Sequence, residues 1–238
     1  MPALTYETSK RGYANLWNRA QIRPERVSAA NAVARRLHTN RARYQAAALG
    51  SMPWWWVAIT HNLESGANFS RHLHNGDPLT ARTRQVPAGR PKTGTPPFTW
   101  EESARDALQL KNLDRVQDWS VARCLYEFER YNGWGYVARK INSPYVWSFT
   151  TLYSRGKYVA DGKFSASAVS QQCGAAATMK AMEALKLITI GKPTMTEEQK
   201  QAVQIDKPLP PIVVSPVVKR PDWDIVGWVV EFLKGFFR

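Results

Sequence analysis

The sequence is poor in cysteine and has no long apolar run. Cys124 and Cys173 are the only cysteines in 238 residues, and two distant cysteines make no disulfide framework, so free buried thiols are expected. No stretch has the length and apolarity of a membrane span. The first twenty residues lack the apolar core of a secretory signal, and nothing repeats at a fixed period. These absences argue against a disulfide scaffold, an integral membrane protein and a repeat array.

Acidic residues are also scarce. The chain has 33 Lys and Arg against 19 Asp and Glu, a net charge of +14. Residues from 191 onward carry a net +1, which leaves +13 for residues 1–190. This basicity predicts an anionic partner, although solubility alone would also explain it. We expect no nucleic acid, because the chain has no zinc-finger spacing, RNP-like strand or long lysine tract.

Helical periodicity dominates the first 190 residues, whose hydrophobic content is sufficient for one core. We predict a mainly α (α+β) domain over residues 1–190 with one small β-hairpin. Four helices are predicted with both ends: Thr5–Ala20, Arg41–Leu49, Asp118–Tyr131 and Ser165–Ile190. Three more are predicted from their start signals, which are Pro24, Ser51 and a capping box formed by Thr99 and Glu102. In the helix Asp118–Tyr131, Glu127 is expected on the solvent-exposed face.

Glu64 stands at the end of a very apolar predicted helix. Ser51 is the expected cap, Pro53 suits the first turn, and Gly66 supplies the stop. A carboxyl in this position would be partly desolvated, which raises its pKa. The alternative is an ordinary solvated glutamate at a helix end.

The segment after this helix contains the turn signal Asn75-Gly76 followed by Asp77-Pro78, and then an extended, threonine-rich stretch from Leu79 to Val86. A polar turn or a hairpin is predicted here. A glutamate ending a buried helix, followed by a polar hairpin with an aspartate and threonines, is one way to build a glycoside-hydrolase site. Asp77 also has a sufficient explanation in turn chemistry.

Three histidines offer a rival interpretation. His72 and His74 share one face of an extended segment, and His61 lies one helical turn before Glu64. They could form the zinc site of an amidase, with Glu64 as its base. No paired helical motif of the HExxH type supports this alternative, and we predict no metal and no cofactor.

Aromatic residues crowd the irregular segment from Gly133 to Gly162. They could pack as core or line a sugar groove, because pyranose rings stack on aromatic faces. Beyond the domain, residues 191–221 form a proline-rich linker by composition. Residues 222–238 form an amphipathic helix by periodicity, which could dock on the domain, self-associate or contact an anionic membrane. The residues predicted to contact the membrane are Trp223, Trp228, Phe232 and Phe236.

Five segments together resemble a family of lysozyme-like cell-wall hydrolases of bacteria and prophages, and are similar to phage endolysins of the lysozyme superfamily. They are HNLESGANFSRHLHNGDPLTARTRQVPAGRPKTGTPPFTWEESARDAL, RYNGWGY, NSPYVWSFTTLY, GKYVADGKF and QQCGAA. The resemblance covers roughly Leu16 to Leu185. It implies a mostly helical domain with a small β-hairpin beside the cleft.

The resemblance also implies an activity, namely cleavage of the β-1,4 bond between the amino sugars of peptidoglycan. Glu64 would be the general acid, and Asp77 with Thr83 would be the catalytic partners on the hairpin. The expected substrate-binding residues are His61, Tyr131, Asn132, Tyr145 and Trp147. A monomer would wait in the host cytoplasm until its release to the periplasm and cell wall. A lytic transglycosylase and a wall-binding phage protein without activity stay open as alternatives.

Overall fold

A computed structural model describes residues 4–160 and 162–190 of the chain. This part is mostly helical, with one two-stranded antiparallel sheet. The helices are α1 Tyr6–Arg19, α2 Val27–Thr39, α3 Arg41–Ala47, α4 Trp54–Ser65, α5 Trp100–Leu110, α6 Val121–Asn132, α7 Gly135–Ala138, α8 Pro144–Trp147 and α9 Ala175–Ala184, and the strands are β1 Lys157–Ala160 and β2 Lys163–Ser165.

Helix α4 lies at the centre of the fold. Every residue after Trp54 in this helix is buried, and α2, α3 and α9 pack around it. Trp56 stacks on Phe128 of α6 with ring centroids 4.8 Å apart. A helix that is apolar all round needs such an enclosure, because it has no face to present to water. The core is therefore built around α4, and α1 packs on the outside of α6.

Local capping signals predicted several helix ends correctly. Thr5 caps α1, and Thr99 with Glu102 forms the expected capping box at the start of α5. Gly66 ends α4 in the left-handed conformation, with φ +63°. Ser51 is not the cap of α4, since its hydroxyl donates to the carbonyl of Val116. Pro53 takes the cap position instead.

The β-hairpin lies in a different place from the one predicted. The paired strands are β1 and β2, while the segment after α4 contains only an isolated bridge between Arg71 and Pro78. Pro78, Pro87 and Pro91 have no amide hydrogens for a strand ladder. Side chains of this segment supply many of its hydrogen bonds instead, as described below.

Two further expectations were wrong. The predicted helix Ser165–Ile190 shortens to α9, because Ser165 is in β2 and the Ser165 and Ser170 hydroxyls accept backbone N–H groups in the turns before Gly174. Short hydroxyl side chains compete in this way with helical bonds. Glu127, expected on the outside of α6, is fully buried between Arg123 and Arg130.

The predicted linker 191–221 and the helix 222–238 lie outside the described residues, as do Trp223, Trp228, Phe232 and Phe236 of the membrane prediction. Within residues 4–160 and 162–190, no helix has the length and apolar character needed to cross a membrane.

Gly174, at the start of α9, is the tightest backbone approach among the described glycines for which contacts are known. A Cβ at this position would lie 2.7 Å from the Ser148 nitrogen and 2.8 Å from the Val146 oxygen. Both are backbone atoms, so relief of the clash requires α8 and α9 to separate. We expect Gly174→Ala to lower the free energy of unfolding by about 3 kcal/mol.

The matched control is Gly12→Ala in α1, where a Cβ meets no atom within 4 Å. This change should raise the free energy of unfolding by about 0.5–1 kcal/mol, because glycine is unfavourable inside a helix. Urea denaturation of both variants measures the difference. Equal effects of the two substitutions would contradict the close packing of α8 against α9.

Candidate active site

Glu64 occupies the last turn of α4 and is 9% exposed. Two side chains from other elements hold this helix end. Arg36 of α2 donates to the Gly66 carbonyl at 2.8 Å, and Gln172 donates to the Leu63 carbonyl at 2.8 Å. These bonds satisfy carbonyls that have no partner within the helix. Glu64 is thus fixed on a rigid element.

Tyr145 of α8 donates a hydrogen bond to Oε1 of Glu64 at 2.6 Å. Burial raises the pKa of Glu64 to about 7, while the Tyr145 bond and the charge of Lys111 act in the opposite direction. The Glu64 carboxyl is therefore protonated in roughly half of the molecules near pH 7. Among the described residues Oε2 has no hydrogen-bond partner, whereas Oε1 accepts the Tyr145 bond.

Tyr131 also lies beside Glu64. Its pKa is raised well above the ordinary value by burial and, secondarily, by the negative charge of Glu64. The Lys111 ammonium is 5.0 Å from the centre of the Tyr131 ring. Asn132 is the last residue of α6 and is partly exposed. Of the five residues expected to bind substrate, Tyr131 and Tyr145 are near Glu64, and Asn132 adjoins Tyr131 in the chain.

The other two expected substrate-binding residues lie in the core instead. Trp147 is 1% exposed and His61 is 0% exposed, so neither presents a surface to a sugar. The His61 ring contacts Phe69 and Trp100 and is 3.2 Å from the Tyr44 hydroxyl through Nδ1. Burial lowers the pKa of His61 to about 3. It is a neutral core residue.

Asp77 is engaged in its own loop. Its Oδ2 accepts the backbone N–H of Arg84 at 2.7 Å and of Gln85 at 3.0 Å, and an amide hydrogen of Asn75 at 3.1 Å. Within residues 4–160 and 162–190, no hydrogen bond or charge interaction joins this carboxylate to Glu64. The turn chemistry considered as an alternative is the role seen for Asp77.

Thr83 is likewise a loop residue. It is buried, and its hydroxyl donates to the Pro87 carbonyl and accepts the Arg90 N–H. Its backbone N–H donates to the Arg90 carbonyl, and its carbonyl accepts the Gly89 N–H. Since the hydroxyl is occupied on both sides, Thr83 holds the loop closed and has no described contact with Glu64.

His72 and His74 fasten the same loop to α5. His72 donates from Nε2 to the Ala81 carbonyl at 2.8 Å, and its Nδ1 is 2.7 Å from the Ser103 hydroxyl. His74 Nε2 is 2.6 Å from Asp106, which also binds Arg90 through both oxygens. Burial lowers the pKa of His74 to about 4, with Asp106 acting against it. No group of three or more potential metal ligands occurs in the described part of the chain.

Sequence reasoning missed Glu129, a second buried carboxyl. Glu129 is 2% exposed, and burial raises its pKa to about 8, with Ser143 acting in the opposite direction. One signal was available. Glu129 follows the apolar Leu125 by four residues, and this spacing places both on the same face of α6, which is buried.

Comparisons with known proteins identify no relative of this chain. No protein-family model matches it, and searches of curated proteins and of solved structures give no match.

The free energy of unfolding should depend on pH through the ionisation of Glu64. The folded-state pKa is above the ordinary value of 4.5, so the unfolded chain ionises first as the pH rises. The wild type therefore loses stability between about pH 4.5 and 7 relative to Glu64→Gln, which has no charge to bury. We expect the difference in free energy of unfolding, variant minus wild type, to rise by about 3 kcal/mol from pH 4 to pH 8. Urea denaturation at several pH values measures it.

Glu101→Gln is the control of opposite sign. Partial burial is the largest single effect on the pKa of Glu101 and acts to raise it. The Arg43 hydrogen bonds, a backbone hydrogen bond and the charges of Arg43 and Arg105 together outweigh it, so the pKa is lowered. The wild type should therefore gain stability over Glu101→Gln as the pH rises through the folded-state pKa of Glu101. A flat difference for Glu64→Gln over the whole range would contradict the burial of an ionisable Glu64.

Proposed function

We propose that this protein is a peptidoglycan glycosidase of the endolysin type, with Glu64 as the general acid. The observation that carries the proposal is the buried Glu64 carboxyl, which Tyr145 holds and whose pKa is about 7. A general acid works best when its pKa is close to the working pH, because it is then protonated and still gives up its proton readily. The substrate class comes from the resemblance of the sequence motifs to lysozyme-like hydrolases.

In the proposed reaction the proton on Oε2 of Glu64 passes to the glycosidic oxygen. The bond between this oxygen and the anomeric carbon breaks, and positive charge develops on the sugar. Tyr145, already bonded to Oε1, stabilises the carboxylate that forms. Water then adds to the anomeric carbon and loses a proton to solvent, from which Glu64 is reprotonated. Tyr131, Asn132 and Lys111 are the nearest candidates for contacts with the sugars.

The proposal assigns no catalytic step to Asp77 or Thr83. Both are bonded within the loop that follows α4, so they support the loop and not the charge on the sugar. If the 6-hydroxyl of the substrate adds to the anomeric carbon in place of water, the product has an anhydro end. This transglycosylase outcome needs the same acid and is distinguished by its product.

The high positive charge suits a substrate embedded in an anionic envelope. Residues 1–190 carry +13, which would raise the local concentration of the protein at such a surface. The proposed setting is that of an endolysin, a monomer held in the host cytoplasm until it reaches the wall. Contact with an anionic membrane through Trp223, Trp228, Phe232 and Phe236 belongs to this proposal as well.

The first test is the clearing of purified peptidoglycan. Glu64→Gln should lower the rate by about 10³-fold, because the amide has no acidic proton to transfer. Asp77→Asn is the matched control. Asparagine keeps an acceptor oxygen for the Arg84 and Gln85 N–H groups, so activity should stay within about tenfold of wild type. Mass spectrometry identifies new reducing ends or anhydro ends.

Four outcomes would contradict the proposal. Activity that survives in Glu64→Gln would show that Glu64 is not the acid. Stem peptides released from intact glycan would favour the amidase, which a chelator would then inhibit. Binding to peptidoglycan without any fragment would favour a wall-binding protein. If Asp77→Asn lowers the clearing rate as much as Glu64→Gln does, Asp77 would have a catalytic role.

The pH dependence of the rate gives an independent check. Because only the protonated form of Glu64 acts, kcat/KM should fall as the pH rises through about 7. Tyr145→Phe removes a bond that stabilises the carboxylate, so the fall should move to higher pH. Rates of release of new glycan ends from soluble glycan fragments between pH 5 and 9 measure it. A fall near pH 4.5 in the wild type would contradict the assignment.

A further inference from the structure

A cavity of about 290 Å³ lies at the start of α4, away from the candidate active site. Its walls are Arg41 of α3, Trp54 and Trp55 of α4, and residues 186–189 after α9. Glu64 is ten residues further along α4, which corresponds to about 15 Å along the helix axis. The volume is close to the smallest that hold a small molecule in proteins, about 300 Å³. The cavity is therefore a candidate binding site separate from Glu64.

Two basic side chains from different elements line this cavity. Arg41 is the first residue of α3 and Lys186 follows α9, and both are exposed. In the described part of the chain neither forms an ion pair with a carboxylate, in contrast to Arg43, which binds Glu101. A guanidinium and an ammonium at one cavity favour an anionic ligand, because both attract its negative charge.

The Arg41 guanidinium lies beside an aromatic ring. Its central carbon is 5.6 Å from the centre of the Trp54 ring, which also contacts the His38 ring with centroids 5.8 Å apart. A guanidinium over an indole face is attracted by the ring. This contact leaves its N–H groups free to bind a carboxylate or a phosphate in the fork geometry of arginine. Arg41 is thus positioned at the cavity before a ligand binds, which lowers the entropy cost of binding.

Lys186 occupies a backbone position that normally belongs to glycine. Its φ is +56°, in the left-handed region, just after α9. Its N–H donates to the Glu183 carbonyl at 2.9 Å, and the next N–H, that of Leu187, donates to the Met182 carbonyl at 2.9 Å. These are the two hydrogen bonds of a Schellman motif, in which glycine is favoured because a Cβ in the left-handed region is strained. The chain therefore has a lysine at the cavity where a glycine would be more stable.

The other walls of the cavity are mostly apolar. Trp55 is 5% exposed, and its indole N–H has no hydrogen-bond partner among the residues that the structure describes. Buried indole N–H groups usually have a partner, so this N–H remains as a donor. Leu187 and Ile188 supply aliphatic surface, and Thr189 supplies a hydroxyl. A cavity with such walls suits the body of a small organic molecule better than a bare, hydrated ion.

We propose that this cavity binds a small organic anion, namely a ring-sized body that carries a carboxylate or a phosphate group. The anionic group binds Arg41 and Lys186, and the body lies against the apolar walls. The site is distinct from Glu64, and the proposal does not depend on the proposed glycosidase. Carboxylated and phosphorylated sugars have the required chemistry and serve as probes.

Isothermal titration calorimetry of the full chain with four probes tests the proposal. N-acetylmuramic acid is a sugar with a carboxylate, and glucose 6-phosphate is a sugar with a phosphate. N-acetylglucosamine is a neutral sugar, and inorganic phosphate has no organic body. One of the two anionic sugars should bind about tenfold more tightly than the neutral sugar and inorganic phosphate do. The comparison of the two anionic sugars decides between carboxylate and phosphate.

Substitutions at the two basic residues locate the binding. Arg41→Gln should weaken binding of the preferred anionic sugar by about tenfold, because charged hydrogen bonds are lost. Lys186→Gly should weaken it by about threefold, because water screens the exposed ammonium. The same Lys186→Gly should raise the urea midpoint of unfolding, because glycine fits a φ of +56°. The control Arg11→Gln removes an exposed charge of α1 outside the cavity and should leave the affinity unchanged.

Three results would overturn the proposal. The first is that no probe binds the full chain, in which case a segment beyond residue 190 would be the next occupant to test. The second is that the neutral sugar or inorganic phosphate binds as tightly as the preferred anionic sugar. The third is an unchanged affinity in Arg41→Gln, and if Glu64→Gln lowers the affinity instead, the ligand binds beside Glu64. None of these results decides the glycosidase, which the clearing of peptidoglycan tests separately.

Discussion

The burial of one carboxyl at the end of the central helix is the constraint on which the rest of this structure depends. Helix α4 is buried from Trp55 to Ser65 because other helices surround it. Its last turn therefore cannot be solvated in the way that most helix ends are. Ionisation of Glu64 then lacks the stabilisation that water would give, and Tyr145 and Lys111 offset only part of the loss. The helix at the centre of the core is thus also the element whose burial raises the pKa of Glu64.

Ion pairs divide the carboxyls of this structure into two groups. Glu127 is fully buried, yet it lies between Arg123 and Arg130, and Glu101 is bound by Arg43. Glu64 and Glu129 have no ion pair in the described part of the chain, and burial raises the pKa of each. The chain has a net charge of +14, so its Lys and Arg residues outnumber its carboxylates. Their absence from direct contact with these two carboxyls is therefore a property of the packing, and such uncompensated groups are characteristic of functional sites.

The features that the sequence predicted are those set by a few neighbouring residues. The capping box of Thr99 and Glu102, the stop at Gly66 and the apolar run before Glu64 need no knowledge of the rest of the chain. The place of the paired strands and the burial of Trp147 were not predictable in this way. Each depends on which elements meet, since Trp147 could have faced a groove or the core with the same local pattern. Asp77 shows the same limit, because its turn role and a catalytic role have one sequence signature.

If Glu64 is the acid that we propose, the outcome of the reaction depends on the other side of the sugar. Protonation of the leaving oxygen is common to hydrolysis and to transglycosylation, and both need the same carboxyl and the same pKa. Asp77 and Thr83 are bonded within their own loop and have no described hydrogen bond to Glu64. The choice between products then depends on whether water or the sugar's own hydroxyl reaches the anomeric carbon first. The acid and the product are therefore separate properties of the site, and a substitution can alter one while leaving the other unchanged.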